Sequence, residues 1–158
     1  LAIADAYDVD VFAHDIAPER TVDIPARAAR AGVTINRLLT EEVAAQEPFD
    51  LVFCDAPCSG SGTWRRTPEA KWALDDEKFR SFSTLQAEVI ANAAKYVRFG
   101  GQIVYATCSV LYAENDGVMS AFLATHREWT CVRQEQRLPD ADGDGFYFAI
   151  LQKGQNNL

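Results

Sequence analysis

The 158 residues, 48% hydrophobic and 24% charged, suffice for a single domain (1–158) with an ordinary core, and no repeat or low-complexity tract interrupts them. No apolar run approaches the roughly 20 residues that span a bilayer, and no basic or secretory leader opens the chain, so a membrane partner is not expected and a cytoplasmic location is. The net charge of −8 is the reverse of what a protein gripping a phosphate backbone unaided carries: either nucleic acid is not the partner, or the affinity comes from a segment outside this chain.

Without an initiator Met the chain is expected to begin inside an element, as a piece of a longer protein. Val9 to His14 reads as a strand that ends at Asp15. Asp23 before Pro25 marks a helix start, with helix through Arg30 and a stop at Gly32. Val33 to Leu39 is a second strand, and Glu41 to Pro48 a polar linker or short helix. Leu51 to Cys54 is apolar without alternation, the pattern of a parallel strand buried on both faces. It ends at Asp55, and Pro57, Gly60 and Gly62 rule out further regular structure. Thr63 to Asp76 reads as a long loop carrying Arg65, Arg66 and Lys71 with Trp64 and Trp72, the latter expected in the core.

Ser83-Thr-Leu-Gln86 has the form of a capping box, followed by Leu85, Val89, Ala93 and Val97 at helical spacing and a stop at Gly100-Gly101. Gln102 to Ala106 is the next strand, running into Thr107-Cys108-Ser109, and Glu114 to His126 is a helix with Val118 and Phe122 on one face. Trp129 to Val132 and Phe146 to Leu151 are the last strands. The acidic loop between them (Asp140, Asp142, Asp144) has no Glu at the distance a calcium loop requires and reads as a solvated turn. Strand and helix alternate and then give way to a strand pair. That order predicts an α/β fold, a doubly wound and mostly parallel sheet with a hairpin-like end.

In such a sheet Asp15, Asp55 and Cys108, each at a strand end, fall on one edge, the edge where ligands bind. Asp15 suits the acid that accepts hydrogen bonds from a ribose, or it caps a helix. No G-x-G precedes it, so either no nucleotide-like cofactor binds or the piece that holds most of it lies outside this chain. Cys58 and Cys108, at neighbouring strand ends, suggest covalent catalysis. Free amides in the Cys58 turn, the helix after Cys108 and the nearby Arg65, Arg66 and Lys71 are each expected to lower a thiol pKa. Cys54 and Cys131 read as small buried hydrophobes. All four cysteines are expected as free thiols, and with no second C-x3-C pair and only two distant histidines no metal site is expected. Ser59-Gly-Ser-Gly is not a G-x-S-x-G elbow, and the Arg of a cysteine phosphatase loop comes one position late, at Arg65.

Asp55-Ala-Pro-Cys-Ser-Gly-Ser-Gly, Arg65-Arg66-x-Pro68, Lys71-Trp72, Leu85-Gln86, Gly100-Gly101, Tyr105-Ala-Thr-Cys-Ser109, Glu114-Asn115 and Asp142-Gly-Asp-Gly-Phe-Tyr-Phe stand in one order across about Val9 to Leu151. This set closely resembles the Sun-type (NOL/NOP/Sun) RNA (cytosine-5) methyltransferases, whose members include bacterial 16S ribosomal RNA enzymes. The resemblance implies a class I, Rossmann-like methyltransferase domain, S-adenosylmethionine as cofactor and RNA as substrate. It implies Cys108 as the nucleophile toward C6 of cytosine and Cys58 as the group that assists loss of the C5 proton and release. Asp55 would lie between cofactor and base, and Asp15 would hold the cofactor ribose with Arg20 nearby. Arg65, Arg66 and Lys71, with Trp64, would form the local substrate-contact strip.

DNA cytosine-5 enzymes, which the chain also resembles, would place the nucleophile at Cys58; Thr107-Cys108-Ser109 points to RNA. An amino-group methyltransferase would want Asn/Asp-Pro-Pro-Tyr where this chain has Asp-Ala-Pro-Cys. A non-catalytic module binding RNA or a partner is the alternative of a different class. The pattern departs in three places: the Pro-Gly-Gly-Lys cofactor loop does not precede Val9, Pro25 interrupts a helix, and Asn36 is the nearest polar residue to the expected third-strand acid.

Overall fold

The computed structural model describes residues 1–155, which fall into two compact units that divide between Glu47 and Pro48. The smaller unit runs α1 (Ala2–Ala6), β1 (Phe12–Ala13), α2 (Ile24–Arg30), β2 (Asn36–Arg37) and α3 (Thr40–Val43). β1 and β2 pair in parallel, Phe12 opposite Asn36 and Ala13 opposite Arg37. Both strands are shorter than the sequence pattern suggested, and Asn36 is the first residue of β2. α2 begins and ends where the Asp23–Pro25 and Gly32 signals put it. Gly32 adopts φ +71°, the left-handed conformation that closes a helix and that glycine takes without strain.

The larger unit runs β3 (Phe49–Asp55), α4 (Pro68–Trp72), α5 (Asp76–Ala93), β4 (Val97–Thr107), α6 (Asp116–Thr125), β5 (Trp129–Arg137) and β6 (Phe146–Lys153). Its sheet has the order β3-β4-β6-β5. β3 and β4 are parallel, while β6 is antiparallel to both β4 and β5, so three of the four strands point one way. This is the Rossmann-like α/β arrangement with a hairpin-like end. Among the described residues no helix is long and apolar enough to cross a membrane.

Burial alternates along β4, where Ile103 and Tyr105 are fully buried and Thr107 nearly so; Tyr147, Ala149 and Leu151 of β6 lie opposite them. Against this face pack Ile90 of α5 and Val118, Met119 and Phe122 of α6. Each such side chain contributes about 1.5–3 kcal/mol by leaving water. The Tyr105 hydroxyl meets its buried hydrogen-bonding need by donating to the Glu114 carbonyl at 2.8 Å.

The structure corrects five local expectations. β3 is not covered on both faces: Cys54 is buried, but Leu51 and Phe53 are 46% and 54% exposed, because a run without alternation carries no information about which face is covered. α5 starts at Asp76, with the Asp75 carboxylate accepting the Lys78 amide at 2.8 Å, so Ser83 lies inside a helix and Leu85 is exposed. That helix ends at Ala93, and Gly100 and Gly101 belong to β4. The stretch 63–76 is not wholly loop, since α4 forms within it. Trp72 on α4 is 84% exposed, not core.

Candidate active site

Because β3 and β4 are parallel, with Asp55 opposite Ala106, the turn after β3 and the loop after β4 leave the same edge of the sheet. The chain holds them together with backbone bonds: Ala56 N donates to Ala106 O at 2.9 Å and Gly62 N to Cys108 O at 2.9 Å. The result is a contact the sequence could only suggest. Cys58 Sγ lies 3.4 Å from Cys108 Sγ, with both thiols free. Cys108 is exposed and Cys58 half-buried.

The two thiols are not equivalent. The Cys58 S–H donated to Cys108 is the largest influence on Cys108 and brings its pKa down to about 7. Its own backbone amide helps, while burial and the charges of Asp55 and Glu114 oppose. Serving as that donor, together with burial, pushes Cys58 well up. The expectation that both thiols would be acidified therefore holds for Cys108 and fails for Cys58, since two sulfurs in contact share one negative charge. Cys54 is the inert, buried thiol expected, pushed up to about 12 by burial alone. Cys131 is exposed on β5, contrary to expectation.

Asp55, exposed at the end of β3, lines an open pocket of about 380 Å³ with Phe53, Ala106, Cys108, Phe146 and Phe148. Apolar walls, one carboxylate and one thiol make a recess suited to a flat, partly polar ring. In the smaller unit Asp15 follows β1 with its side chain 30% exposed. Its Oδ1 accepts the Ala17 amide at 2.8 Å and its Oδ2 lies 3.8 Å from Arg20 Nη1. One oxygen is thus spent on the local turn, and the other lies beside the Arg20 guanidinium.

The basic strip is partly occupied. Asp144 pairs with Arg66 at 2.5 Å and with Arg65 at 3.9 Å, so the acidic loop is not merely a solvated turn. Lys71 Nζ lies 5.9 Å from the Trp64 ring centre and 5.8 Å from that of Trp72.

The residue that sequence reasoning passed over is Glu114, read there as a helix start. It is fully buried in a 3-10 turn before α6 and collects hydrogen bonds from both cysteine-bearing segments. No local pattern marks it; only its place beside Asn115 in the motif set singled it out. Asn115 is likewise buried, accepting from the Thr107 hydroxyl at 2.7 Å and donating to Ser109 O at 2.9 Å.

Fold and site together define a class I methyltransferase-type α/β domain with paired cysteines at the ligand edge of its sheet. A profile of the family described as 16S rRNA methyltransferase RsmB/F matches residues 3–152. The chain belongs to that family. It is 36% identical over 140 residues to ribosomal RNA small subunit methyltransferase B of Proteus mirabilis, an alignment covering 80% of this chain and 33% of that protein. It therefore spans about a third of that relative's length. Among solved structures, PH0851 superposes with a TM-score of 0.83 at 29% identity, covering 91% of this chain and 37% of that one. NSun6 from Pyrococcus horikoshii with SFG gives 0.77 at 22% identity, covering 93% and 42%, a likeness of fold.

Proposed function

We propose that this domain carries the catalytic face of an S-adenosylmethionine-dependent methyltransferase that modifies C5 of a cytosine in ribosomal RNA through a covalent bond to Cys108. The observation that carries the reading is the Cys58–Cys108 contact at 3.4 Å, with Cys108 the more exposed of the two free thiols. Family membership supports an rRNA substrate.

S-adenosylmethionine, when bound, supplies an electrophilic methyl group. Asp15 would accept from its ribose hydroxyls through Oδ2, the oxygen that takes no bond from the Ala17 turn and lies 3.8 Å from Arg20. Asp55 would hydrogen-bond the cytosine edge within the recess beside Cys108. The Cys108 thiolate forms a bond to C6, and the C5–C6 π electrons pass into the ring, leaving C5 nucleophilic. C6 of cytosine is a poor electrophile, and the covalent step divides one high barrier into two lower ones.

Once Cys108 is bonded to carbon, it no longer accepts the Cys58 hydrogen bond that holds the Cys58 proton in place. Cys58 can then release that proton to solvent and, once C5 had taken the methyl group with S-adenosylhomocysteine left behind, would as thiolate take the C5 proton. The C5–C6 double bond reforms and Cys108 leaves. This division of labour supports Cys108 over Cys58 as nucleophile. A module that only binds RNA would have no use for an acidic, exposed thiol. Arg65, Lys71 and the exposed Trp72 would contact the RNA strand.

The test is methyl transfer from labelled S-adenosylmethionine to 16S ribosomal RNA, followed by nucleoside analysis. The expected product is 5-methylcytidine, lost in Cys108→Ser. Label in any other nucleoside, or undiminished transfer by Cys108→Ser, would overturn the proposal.

A further inference from the structure

We infer that Glu114 is a positioning residue: its buried carboxylate ties the turn that carries Cys58 to the loop that carries Cys108 and so fixes the two sulfurs at contact distance. On the Cys58 side, Ser59 donates twice, from N to Oε1 at 2.8 Å and from Oγ to Oε2 at 2.6 Å. On the Cys108 side, Ser109 Oγ donates to Oε2 at 2.5 Å. Gln86 of α5 braces both, giving Nε2 to Oε1 at 3.3 Å and to the Pro57 carbonyl at 2.8 Å. Each serine is the immediate neighbour of a cysteine, so the carboxylate spans the two nucleophile-bearing segments in a single step.

The carboxylate's partners among the described residues are all neutral donors, and its residue is 0% exposed. Burying an acid without a cation is costly, and an apolar side chain would fill the same space more cheaply. Stability alone does not explain an acid here; holding two loops in register does. The relevance to catalysis rests on the reading of Cys108 as nucleophile.

Charge and reach can be separated. Around Cys108, Asp55 from β3 and Glu114 from the 3-10 turn oppose ionisation, while Cys58 and the Cys108 amide favour it. Glu114→Asp keeps the charge and loses the reach; Glu114→Gln keeps the reach and loses the charge. The readout is the rate of iodoacetamide alkylation at Cys108 against pH, followed by peptide mass well below the melting temperature.

The wild-type midpoint is expected at about 7. Glu114→Asp should move it up toward the ordinary thiol value of about 8.5, lowering the rate at pH 7 by about 15-fold, as the thiolate fraction falls. Glu114→Gln should not raise it, and Ser59→Ala should raise it by a smaller amount. A structural role alone would lower the melting temperature and leave the midpoint in place; an unchanged midpoint in Glu114→Asp and Ser59→Ala overturns the inference. If Glu114→Asp does not fold, Ser59→Ala, which deletes one hydroxyl from a half-buried turn, decides by itself. Alkylation needs neither RNA nor cofactor. A shifted midpoint in a chain that transfers no methyl group would sink the functional reading only, and transfer with no shift would sink this inference only.

Discussion

Gly145 donates its amide to the Gly62 carbonyl at 2.9 Å, and so the β5–β6 connection is fastened onto the turn that carries Cys58. Gly62 in turn donates to the Cys108 carbonyl at 2.9 Å. Three segments meet at one residue with no side chain. A Cβ on Gly62 would lie 2.1 Å from Gly145 O and 2.9 Å from Cys108 O, both backbone atoms that cannot swing aside.

Gly62→Ala should therefore cost roughly 2–3 kcal/mol, the upper part of the range for overpacking. Thermal denaturation would show a fall of about 5–10 °C for a domain of this size. Alkylation at Cys108 should also lose its acidic midpoint, because the Cys108 carbonyl is displaced. A melting temperature within a degree of wild type would contradict this picture of the junction.

The thiol pair makes a prediction with a definite sign. Cys58 donates to the charged form of Cys108 and so stabilises it, which lowers the Cys108 pKa to about 7. Cys58→Ala removes that donor, and the midpoint for alkylation at Cys108 should rise toward about 8.5. At pH 6 and below both proteins should be slow, and above pH 9.5 they should converge. A lower midpoint in Cys58→Ala would reverse the assignment of donor and acceptor.

Proximity is testable by cross-linking. A thiol-specific oxidant such as diamide should join Cys58 to Cys108 within one chain, because their sulfurs are 3.4 Å apart. Cys54, buried and pushed up to about 12, should remain reduced and unalkylated under the same conditions. Peptide mapping under non-reducing conditions distinguishes this from any other pairing.

On the basic strip, Asp144 competes for the groups proposed to meet RNA. Asp144→Asn should release Arg65 and Arg66 and raise affinity for single-stranded RNA roughly two- to fivefold at low salt, the worth of an exposed ion pair. The gain should shrink as salt rises. Trp72→Ala, at a position 84% exposed, should leave stability within about 0.5 kcal/mol while weakening RNA binding by the roughly 1–3 kcal/mol of a stacked base. Fluorescence anisotropy with a labelled oligonucleotide measures both.

The sequence was most legible where local pattern and tertiary environment agree. The apolar stretch ending at Asp55 and the Gln102–Ala106 strand are in place; of the three strand-end residues expected on one edge, Asp55 and Cys108 leave one edge of one sheet, while Asp15 follows a strand of a separate two-stranded sheet. Legibility failed where a local signal had a competitor. Ser83–Gln86 has capping-box form, yet Asp75, followed by Asp76 and Glu77 in the first turn, starts the helix earlier and suits its dipole better. Gln86 is instead a buried brace. Glu114 was illegible for a different reason: its partners, Ser59, Gln86 and Ser109, come from three other segments, and no spacing rule links them. Cys58 and Cys108 could be nominated one by one, but the difference between them follows from their contact and their unequal burial.

The most direct test of the central claim is a trapping experiment with RNA containing 5-fluorocytosine and S-adenosylmethionine, where fluorine at C5 blocks the final elimination. The account predicts a stable protein–RNA adduct whose mass maps to Cys108, absent in Cys108→Ser and retained in Cys58→Ser. An adduct that maps to Cys58, or one that survives Cys108→Ser, would contradict it.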